Sequence, residues 1–167
     1  TGRFGLIPHW ATDIKVSRNT FNARSETVAV KPSFRDAWKR AQRCIIPLDA
    51  FYEPDWRTGK AIATRIASAD GEPLGVAGLW SWWKPPAGDV IHSFTMLTIN
   101  ADGHAVFQNF HHPADEKRMV VMLQPQQFDD WLNASVKDSM AFMQRLPADE
   151  LAVSYANKPK PNQASVL

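Results

Sequence analysis

The hydrophobic and polar positions of the chain follow two different periods, which predicts strands with a few helices among them. Residues 43–47 and 93–99 are short runs rich in apolar and β-branched side chains, a pattern typical of buried strands. Residues 33–42 carry apolar side chains at helical spacing. Ser33 is the expected N-cap there, with Asp36 three positions later as in a capping box. We therefore predict a helix that leads into a strand.

The rest of the chain continues this mixture of strands and short helices. The runs 60–67 and 74–80 flank an Asp-Gly pair at 70–71, which predicts a β-hairpin. Residues 118–123 predict a strand, and Pro125 opens a helix at a position where proline is tolerated. Strands that follow one another without a regular βαβ alternation favour an α+β fold with mostly antiparallel pairing.

Length and composition describe one globular domain. The 167 residues match the size of a single domain, 1–167, and the 44 % of hydrophobic residues exclude a disordered chain. The polar, proline-containing stretch 157–167 predicts an extended tail. No apolar run reaches the ~18 residues of a membrane span. The single cysteine, Cys44, excludes a disulfide framework and a Cys-rich zinc site. We expect a soluble protein in a reducing compartment.

Charge and aromatic content leave the class of partner open. A net charge of +2 is too small to indicate nucleic acid by itself. The seven tryptophans either fill the core or, if they are exposed in a groove, stack on unpaired bases. Composition alone favours the core interpretation.

Residues 21–27 place polar side chains where an apolar pattern is expected. Asn22 and Arg24 stand at alternate positions, which predicts a strand whose polar face lines a pocket. The alternative is a capped loop in which Asn22 and Thr27 bond their own backbone.

Glu53 and the histidine pair at 111–112 are the other candidates for chemistry. Glu53 follows a mostly apolar run, and burial would raise the pKa of its carboxyl toward the range useful for acid–base catalysis. The alternative is an ordinary ion pair with a surface lysine or arginine. Adjacent histidines point to different sides and make a poor metal site, so we expect no metal. A proton carrier or a hydrogen-bonded loop histidine remain the two interpretations.

Taken together, these segments resemble the SRAP family (SOS response-associated peptidase-like proteins). The Asn-Ala-Arg-x-Glu-Thr motif at 22–27 is the most specific element, and the likeness runs from residue 4 to about residue 131. The matching segments, in order, are 4–10, 21–27, 32–34, 43–47, 51–53 and His111 with 117–119.

The resemblance implies a single α+β domain with a mostly antiparallel, barrel-like β core and peripheral helices. It also implies a positively charged groove for single-stranded DNA, in which an abasic site is trapped covalently. The family's nucleophile is a cysteine at the mature N-terminus. Its amine forms an imine with the sugar aldehyde, and its thiol then closes a thiazolidine. Such a protein is expected to be a cytoplasmic monomer that lies on the nucleoid when bound to DNA and needs no cofactor.

The resemblance also assigns roles to individual residues. Asn22 matches the asparagine that positions the N-terminal residue and the sugar. Glu53 matches the glutamate that orients the amine and moves protons. His111, rather than His112, matches the histidine that helps to open the sugar ring.

The remaining matches concern DNA binding. Arg24 would hold a phosphate near the lesion through a charge-assisted contact, and Arg118 is a weaker candidate for the same task. Trp10 lies where the family places aromatics against the neighbouring base. Thr98 matches a threonine that lines the groove.

The start of the chain departs from the family pattern. The family opens Met-Cys-Gly-Arg-Phe and continues for several dozen residues before the Gly-Leu-Ile-Pro motif, which here directly follows Thr1-Gly2-Arg3-Phe4. Either the N-terminal segment lies outside this sequence, or Thr1 replaces the cysteine after an internal deletion. A threonine hydroxyl is a far weaker nucleophile than a thiolate. Cys44 is no substitute, because it lies in an apolar strand.

Two other functions stay open at this point. The family name suggests a peptidase, whose own initiator methionine is one substrate. A non-catalytic module that binds single-stranded DNA through tryptophans and a basic groove is the other.

Overall fold

The chain folds into ten strands and two α-helices across residues 2–155, the part that this computed structural model describes. The tail predicted for 157–167 lies outside the described residues. The strands are β1 (Arg3–Phe4), β2 (Asn22–Arg24), β3 (Arg43–Leu48), β4 (Phe51–Asp55), β5 (Ile62–Ser68), β6 (Leu74–Trp83), β7 (Ile91–Asn100), β8 (Arg118–Val120), β9 (Met122–Leu123) and β10 (Leu151–Tyr155). The α-helices are α1 (Arg35–Lys39) and α2 (Phe128–Asn133). Short 3-10 turns cover Ile14–Asn19, Phe107–Asn109, Pro125–Gln127, Ser139–Phe142 and Ala148–Glu150.

The strands form two sheets. In the larger sheet the order is β1-β7-β6-β3, with β2 and β8 also paired to β7, and β9 paired to β6. The smaller sheet has the order β10-β5-β4. Only the β1 and β2 pairings with β7 are parallel among the strand pairs of residues 2–155. The mixed α+β fold with mostly antiparallel pairing is confirmed. Within the described residues the two sheets stay open rather than closing into a barrel.

The hairpin predicted across the Asp-Gly pair is wrong, although the turn itself forms. Gly71 has a φ of +84°, and the Asp70 carboxylate accepts a hydrogen bond from the Glu72 backbone N–H at 2.9 Å. The turn carries the chain from one sheet to the other, because β5 pairs with β4 and β10 while β6 pairs with β3 and β7. Both edges of β6 are therefore occupied by partners from elsewhere in the chain.

The predicted helix at 33–42 forms, but it is shorter and lacks the expected cap. It covers only Arg35–Lys39, and Phe34 occupies the N-cap position without a side-chain cap bond. The Lys31 carbonyl instead accepts hydrogen bonds from the Phe34 and Arg35 N–H groups. The helix ends before Ala41, which has a φ of +51°. A backbone turn thus replaces the predicted capping box.

The strand predicted at 118–123 changes partners at Val121. The Val121 N–H donates to the Leu97 carbonyl on β7, and its own carbonyl accepts from the Ala77 N–H on β6. The residues before it pair with β7 and those after it with β6. The predicted strand is therefore split between β8 and β9. The helix predicted at Pro125 begins as a 3-10 turn and continues as α2.

Three of the seven tryptophans are buried. Trp131 is fully buried, and its indole N–H donates to the Cys44 carbonyl at 2.9 Å. The Arg43 guanidinium lies over the rings of Trp38 and Trp131. Trp83 is also buried, whereas Trp10 and Trp82 are exposed. The core interpretation thus holds for Trp38, Trp83 and Trp131.

Two further features of the described chain concern membranes and metals. Across residues 2–155, no helix is long and apolar enough to span a bilayer. In the same part of the chain, no three His, Cys, Asp or Glu side chains are grouped so as to hold a metal ion.

We expect Gly78→Ala to destabilise the fold by about 2 kcal/mol or more, as steric overpacking in a core does. An added Cβ would lie 2.6 Å from the Thr95 carbonyl oxygen and 2.5 Å from Ile46 Cδ1, and the backbone oxygen cannot rotate away. Gly75→Ala is the comparison, because its Cβ would meet the side-chain ring of Phe128 instead. Urea unfolding of both variants measures the difference. Equal stability of Gly78→Ala and the wild type would contradict the packing described for β6.

Candidate active site

A cavity of about 330 Å³ lies where the edge of the smaller sheet meets β2, β7 and β8 of the larger sheet. The three predicted catalytic residues, Asn22, Glu53 and His111, all line it. Its lining residues are Phe4, Phe21, Asn22, Phe51, Tyr52, Glu53, Met96, Thr98, His111, Arg118, Met119 and Val120. Residues that lie far apart in the sequence therefore share one space.

Asn22 reaches the cavity because β2 is a strand, as one of the two interpretations predicted. It pairs in parallel with β7, so that Asn22 lies opposite Met96 and Arg24 opposite Thr98. Ala23 is fully buried, while Asn22 and Arg24 project from the other face. The strand interpretation is therefore correct for Asn22–Arg24, and residues 25–27 continue as a turn in which the Thr27 N–H donates to the Arg24 carbonyl.

Backbone pairing brings His111 to Glu53. Phe110 forms a β-bridge with Asp55, and the His111 N–H donates to the Pro54 carbonyl at 3.1 Å. His111 adopts a left-handed φ of +61°, which is uncommon for a residue other than glycine. As a result its Nε2 lies 3.3 Å from Oε2 of Glu53. The partner of Glu53 is a histidine rather than the lysine or arginine of an ordinary surface pair.

The ammonium group of Lys117 holds the loop that carries His111. Its Nζ donates to the carbonyl oxygens of Phe110 at 2.9 Å, His112 at 3.0 Å and His111 at 3.3 Å. Three carbonyl groups around one ammonium satisfy all three of its N–H donors. The loop is therefore fixed beside the cavity by a positive charge.

Burial shifts both members of the Glu53–His111 pair toward their neutral forms. Burial raises the pKa of the Glu53 carboxyl to about 7. Burial and the nearby Lys117 charge lower the pKa of His111. The buried Nδ1 of His111 has no hydrogen-bond partner among residues 2–155. Near neutral pH the carboxyl can thus give or take a proton while the imidazole is a free base, an arrangement suited to acid–base catalysis.

Arg118, which lines the cavity, and Arg24, which lies opposite the lining residue Thr98 in the β2–β7 register, are both ion-paired. Arg118 donates to both carboxylate oxygens of Glu26 and to the carbonyl and hydroxyl oxygens of Thr98. Arg24 donates to Glu116 at 2.6 Å. Among the predicted DNA contacts, Thr98 and Arg118 line the cavity, whereas Arg24 and Trp10 do not.

Three exposed aromatic residues at the cavity were missed by the sequence predictions. Phe4, Phe21 and Tyr52 line it and are 41 %, 39 % and 59 % exposed. The Phe4 and Phe21 rings lie 4.9 Å apart, centre to centre. Phe21 and Tyr52 each directly precede a predicted catalytic residue, so their places in the sequence motifs could have indicated that they lie at the site. Trp10, the aromatic residue to which the resemblance assigns base stacking, does not line the cavity.

Cys44 lies outside this cavity and is not activated. It is located on β3, where burial raises the pKa of its thiol to about 12. The thiol therefore stays protonated at neutral pH, as is typical of a cysteine that serves as a small hydrophobic residue.

Comparison with known proteins agrees with the fold and the motifs. The sequence profile of the family "SOS response associated peptidase (SRAP)" matches residues 1–158. The chain belongs to the SRAP family. Its recognition from the motifs at 4–10, 22–27 and 51–53 is thereby confirmed.

Named relatives and a solved structure are similar to this SRAP chain over most of its length. Abasic site processing protein YoqW from Bacillus subtilis is 33 % identical and covers 99 % of this chain and 74 % of its own length. YoaM, another abasic site processing protein from Bacillus subtilis, is also 33 % identical and covers 99 % of this chain and 73 % of its own. A crystal structure of a Bordetella bronchiseptica protein is 47 % identical, with a TM-score of 0.87, covering 94 % of this chain and 76 % of that one.

We predict that Glu53→Gln stabilises the protein at high pH but not at low pH. The folded-state pKa of about 7 exceeds the ordinary value of 4.5, so the wild type loses stability as the pH rises between these values. Glutamine has no proton to lose, and the variant should gain about 1 to 3 kcal/mol relative to the wild type between pH 4.5 and pH 8.

Urea unfolding at several pH values measures this difference. Glu72→Gln is the matched control, because Glu72 is exposed and does not line the cavity. Its difference from the wild type should not change over the same range. A pH-independent difference for Glu53→Gln would contradict the raised pKa.

Proposed function

We propose that this SRAP chain processes abasic sites in single-stranded DNA and that the reaction takes place in the cavity of Asn22, Glu53 and His111. The observation that carries the proposal is the 3.3 Å approach of Glu53 to His111 in a cavity that Asn22 also lines. The names of the relatives YoqW and YoaM as abasic site processing proteins support it. The family assignment supports it as well.

The shifted pKa values fit the proton transfers of imine formation. An amine attacks the sugar aldehyde carbon, and the carbinolamine must then lose its hydroxyl group as water. A protonated Glu53 carboxyl donates the proton that this hydroxyl needs, and the carboxylate takes a proton back when the imine is hydrolysed. His111 as a free base accepts the proton of the anomeric hydroxyl as the bond between C1 and the ring oxygen breaks, and its imidazolium then gives that proton to the ring oxygen, which becomes the C4 hydroxyl. The amide of Asn22 holds the sugar by hydrogen bonds.

The family's covalent step uses the amine and thiol of a cysteine at the mature N-terminus, as the resemblance implies. Both groups on one residue allow the imine to close to a thiazolidine. The proposal also identifies residues that would contact the DNA strand. Phe4, Phe21 and Tyr52 are exposed beside the cavity and suit stacking on unpaired bases. Arg24 and Arg118 suit backbone phosphates.

Incubating the full-length protein with single-stranded DNA that contains one abasic site should give an adduct stable to denaturation. Glu53→Gln should form this adduct roughly 10²-fold more slowly, because an amide cannot donate the proton that the departing hydroxyl needs. Denaturing gels over time measure the rate. Glu72→Gln should react at the wild-type rate.

Three outcomes would contradict this proposal in different ways. No adduct from a full-length protein with an N-terminal cysteine rules out the crosslink. Unchanged kinetics in Glu53→Gln remove the role given to Glu53. Equal, salt-sensitive binding of abasic and intact strands without any adduct would instead favour a non-catalytic module for single-stranded DNA.

A peptidase is the second candidate, and the family description is the observation that favours it. Among the described residues that line the cavity, none is a serine or a cysteine, and the Thr98 hydroxyl already accepts a hydrogen bond from Arg118. Peptide hydrolysis in this cavity would therefore rely on a water molecule activated by Glu53 or His111. Turnover of an unrelated peptide that is lost in Glu53→Gln would support it.

A further inference from the structure

The carboxylate of Glu116 bridges the two arginines, Arg24 and Arg118. Its Oε2 accepts from Nη1 of Arg24 at 2.6 Å, and its Oε1 accepts from Nη1 of Arg118 at 2.8 Å. One anionic group thus gives one oxygen to each of two guanidinium groups. The two non-bridging oxygens of a phosphodiester can make the same pair of contacts.

The fold places this bridge directly beside the catalytic residues. Glu116 precedes Lys117, whose ammonium group binds the carbonyl oxygens of the loop at His111. Arg118 lines the cavity, and Arg24 lies opposite Thr98, another cavity residue, in the β2–β7 register. A phosphate next to a sugar in the cavity would therefore meet the position that Glu116 now fills.

We propose that Glu116 occupies the subsite for a DNA backbone phosphate and is an autoinhibitory carboxylate that the strand must displace. The identity of the ligand as DNA rests on the proposed function. The bridge itself, one carboxylate between two guanidinium groups, is a property of the structure. A single-stranded DNA binds only when one of its phosphates replaces the Glu116 carboxylate between the two arginines.

The other contacts of the arginines make this exchange feasible. Arg118 keeps its two bonds to Glu26 and its bonds to Thr98 when Glu116 leaves, so its guanidinium stays in place. Arg24 has no other side-chain hydrogen bond within residues 2–155 and becomes available. With Glu26 still bound, the two arginines then present one uncompensated positive charge. The Arg24–Glu116 pair is exposed, and such pairs contribute little to stability and are weakened by salt.

Replacing Glu116 should increase the affinity for intact single-stranded DNA. We expect Glu116→Gln and Glu116→Ala to bind an oligothymidylate without abasic sites roughly fivefold more tightly than the wild type, since the competing charge is absent. Fluorescence anisotropy at low and moderate salt measures the dissociation constants. The gain should shrink as salt rises, because salt weakens the internal pair of the wild type. Glu72→Gln should bind like the wild type.

A double-mutant cycle with Arg24→Gln tests whether the effect passes through the bridge. Without Arg24, the substitution at Glu116 should lose most of its gain, because the two side chains act on the same phosphate. An oligothymidylate with an uncharged methylphosphonate backbone should show no gain in any variant.

Weaker, unchanged or undetectable binding by both Glu116 variants would overturn the inference, and weaker binding would show that Glu116 orients the arginines for the ligand. The probe has no abasic site, so this experiment is independent of the crosslink. A gain in affinity without crosslinking would refute the proposed reaction but keep the phosphate subsite. Crosslinking by the wild type without a gain in affinity in the Glu116 variants would refute only the role of Glu116.

Discussion

The pairing of the Phe110–His111 loop with the end of β4 is the constraint on which the site depends. The bridge between Asp55 and Phe110 and the hydrogen bond from His111 to Pro54 join two segments that are remote in the sequence. This backbone pairing accompanies the 3.3 Å approach of the His111 imidazole to the Glu53 carboxyl. The left-handed backbone of His111 persists because the surrounding contacts, including those of Lys117, over-determine it.

The same placement sets the protonation of the pair. Burial disfavours the charged form of each group, raising the pKa of Glu53 and lowering that of His111, and the Lys117 ammonium adds to the second effect. A solvated glutamate beside a histidine would form an ordinary ion pair with its proton fixed on the imidazole. Here both neutral forms are accessible near neutral pH, and the observed titration would belong to the pair rather than to either residue.

Local patterns predicted the parts of the fold that depend on local physics. The strands at 43–47 and 93–99 and the alternation of Asn22, Ala23 and Arg24 follow from side-chain periodicity, and each of these strands forms. The turn at Gly71 also follows from local chemistry. Its role as a link between sheets does not, because that depends on which strands pair with the two edges of β6. Turn chemistry alone cannot report such competition.

The residues of the candidate site also fall into those that sequence motifs predict and those whose placement depends on tertiary contacts. The family motifs pointed to Asn22, Glu53 and His111, and the structure brings these three residues to one cavity. The position of Glu116 could not be predicted from the sequence. It depends on the neighbouring Lys117, whose ammonium group binds three carbonyl oxygens of the loop at His111. The exposed aromatic rings of Phe4 and Phe21 come together only because β1 and β2 both pair with β7.

The near balance of charges in the whole chain, with a net charge of +2, is repeated locally at the cavity, where arginines and carboxylates are paired. The arginines that suit a phosphate are already matched by Glu26 and Glu116, so they add almost nothing to the charge of the region. A groove built from compensated pairs attracts anions weakly at long range. Under the exchange proposed above, such a groove would recognise an anion at contact, when a phosphate replaces the Glu116 carboxylate in a fixed guanidinium geometry. The net charge of the whole chain therefore cannot indicate such a site. The arginines that would bind a phosphate are cancelled in that sum by the carboxylates of Glu26 and Glu116, with which they are paired.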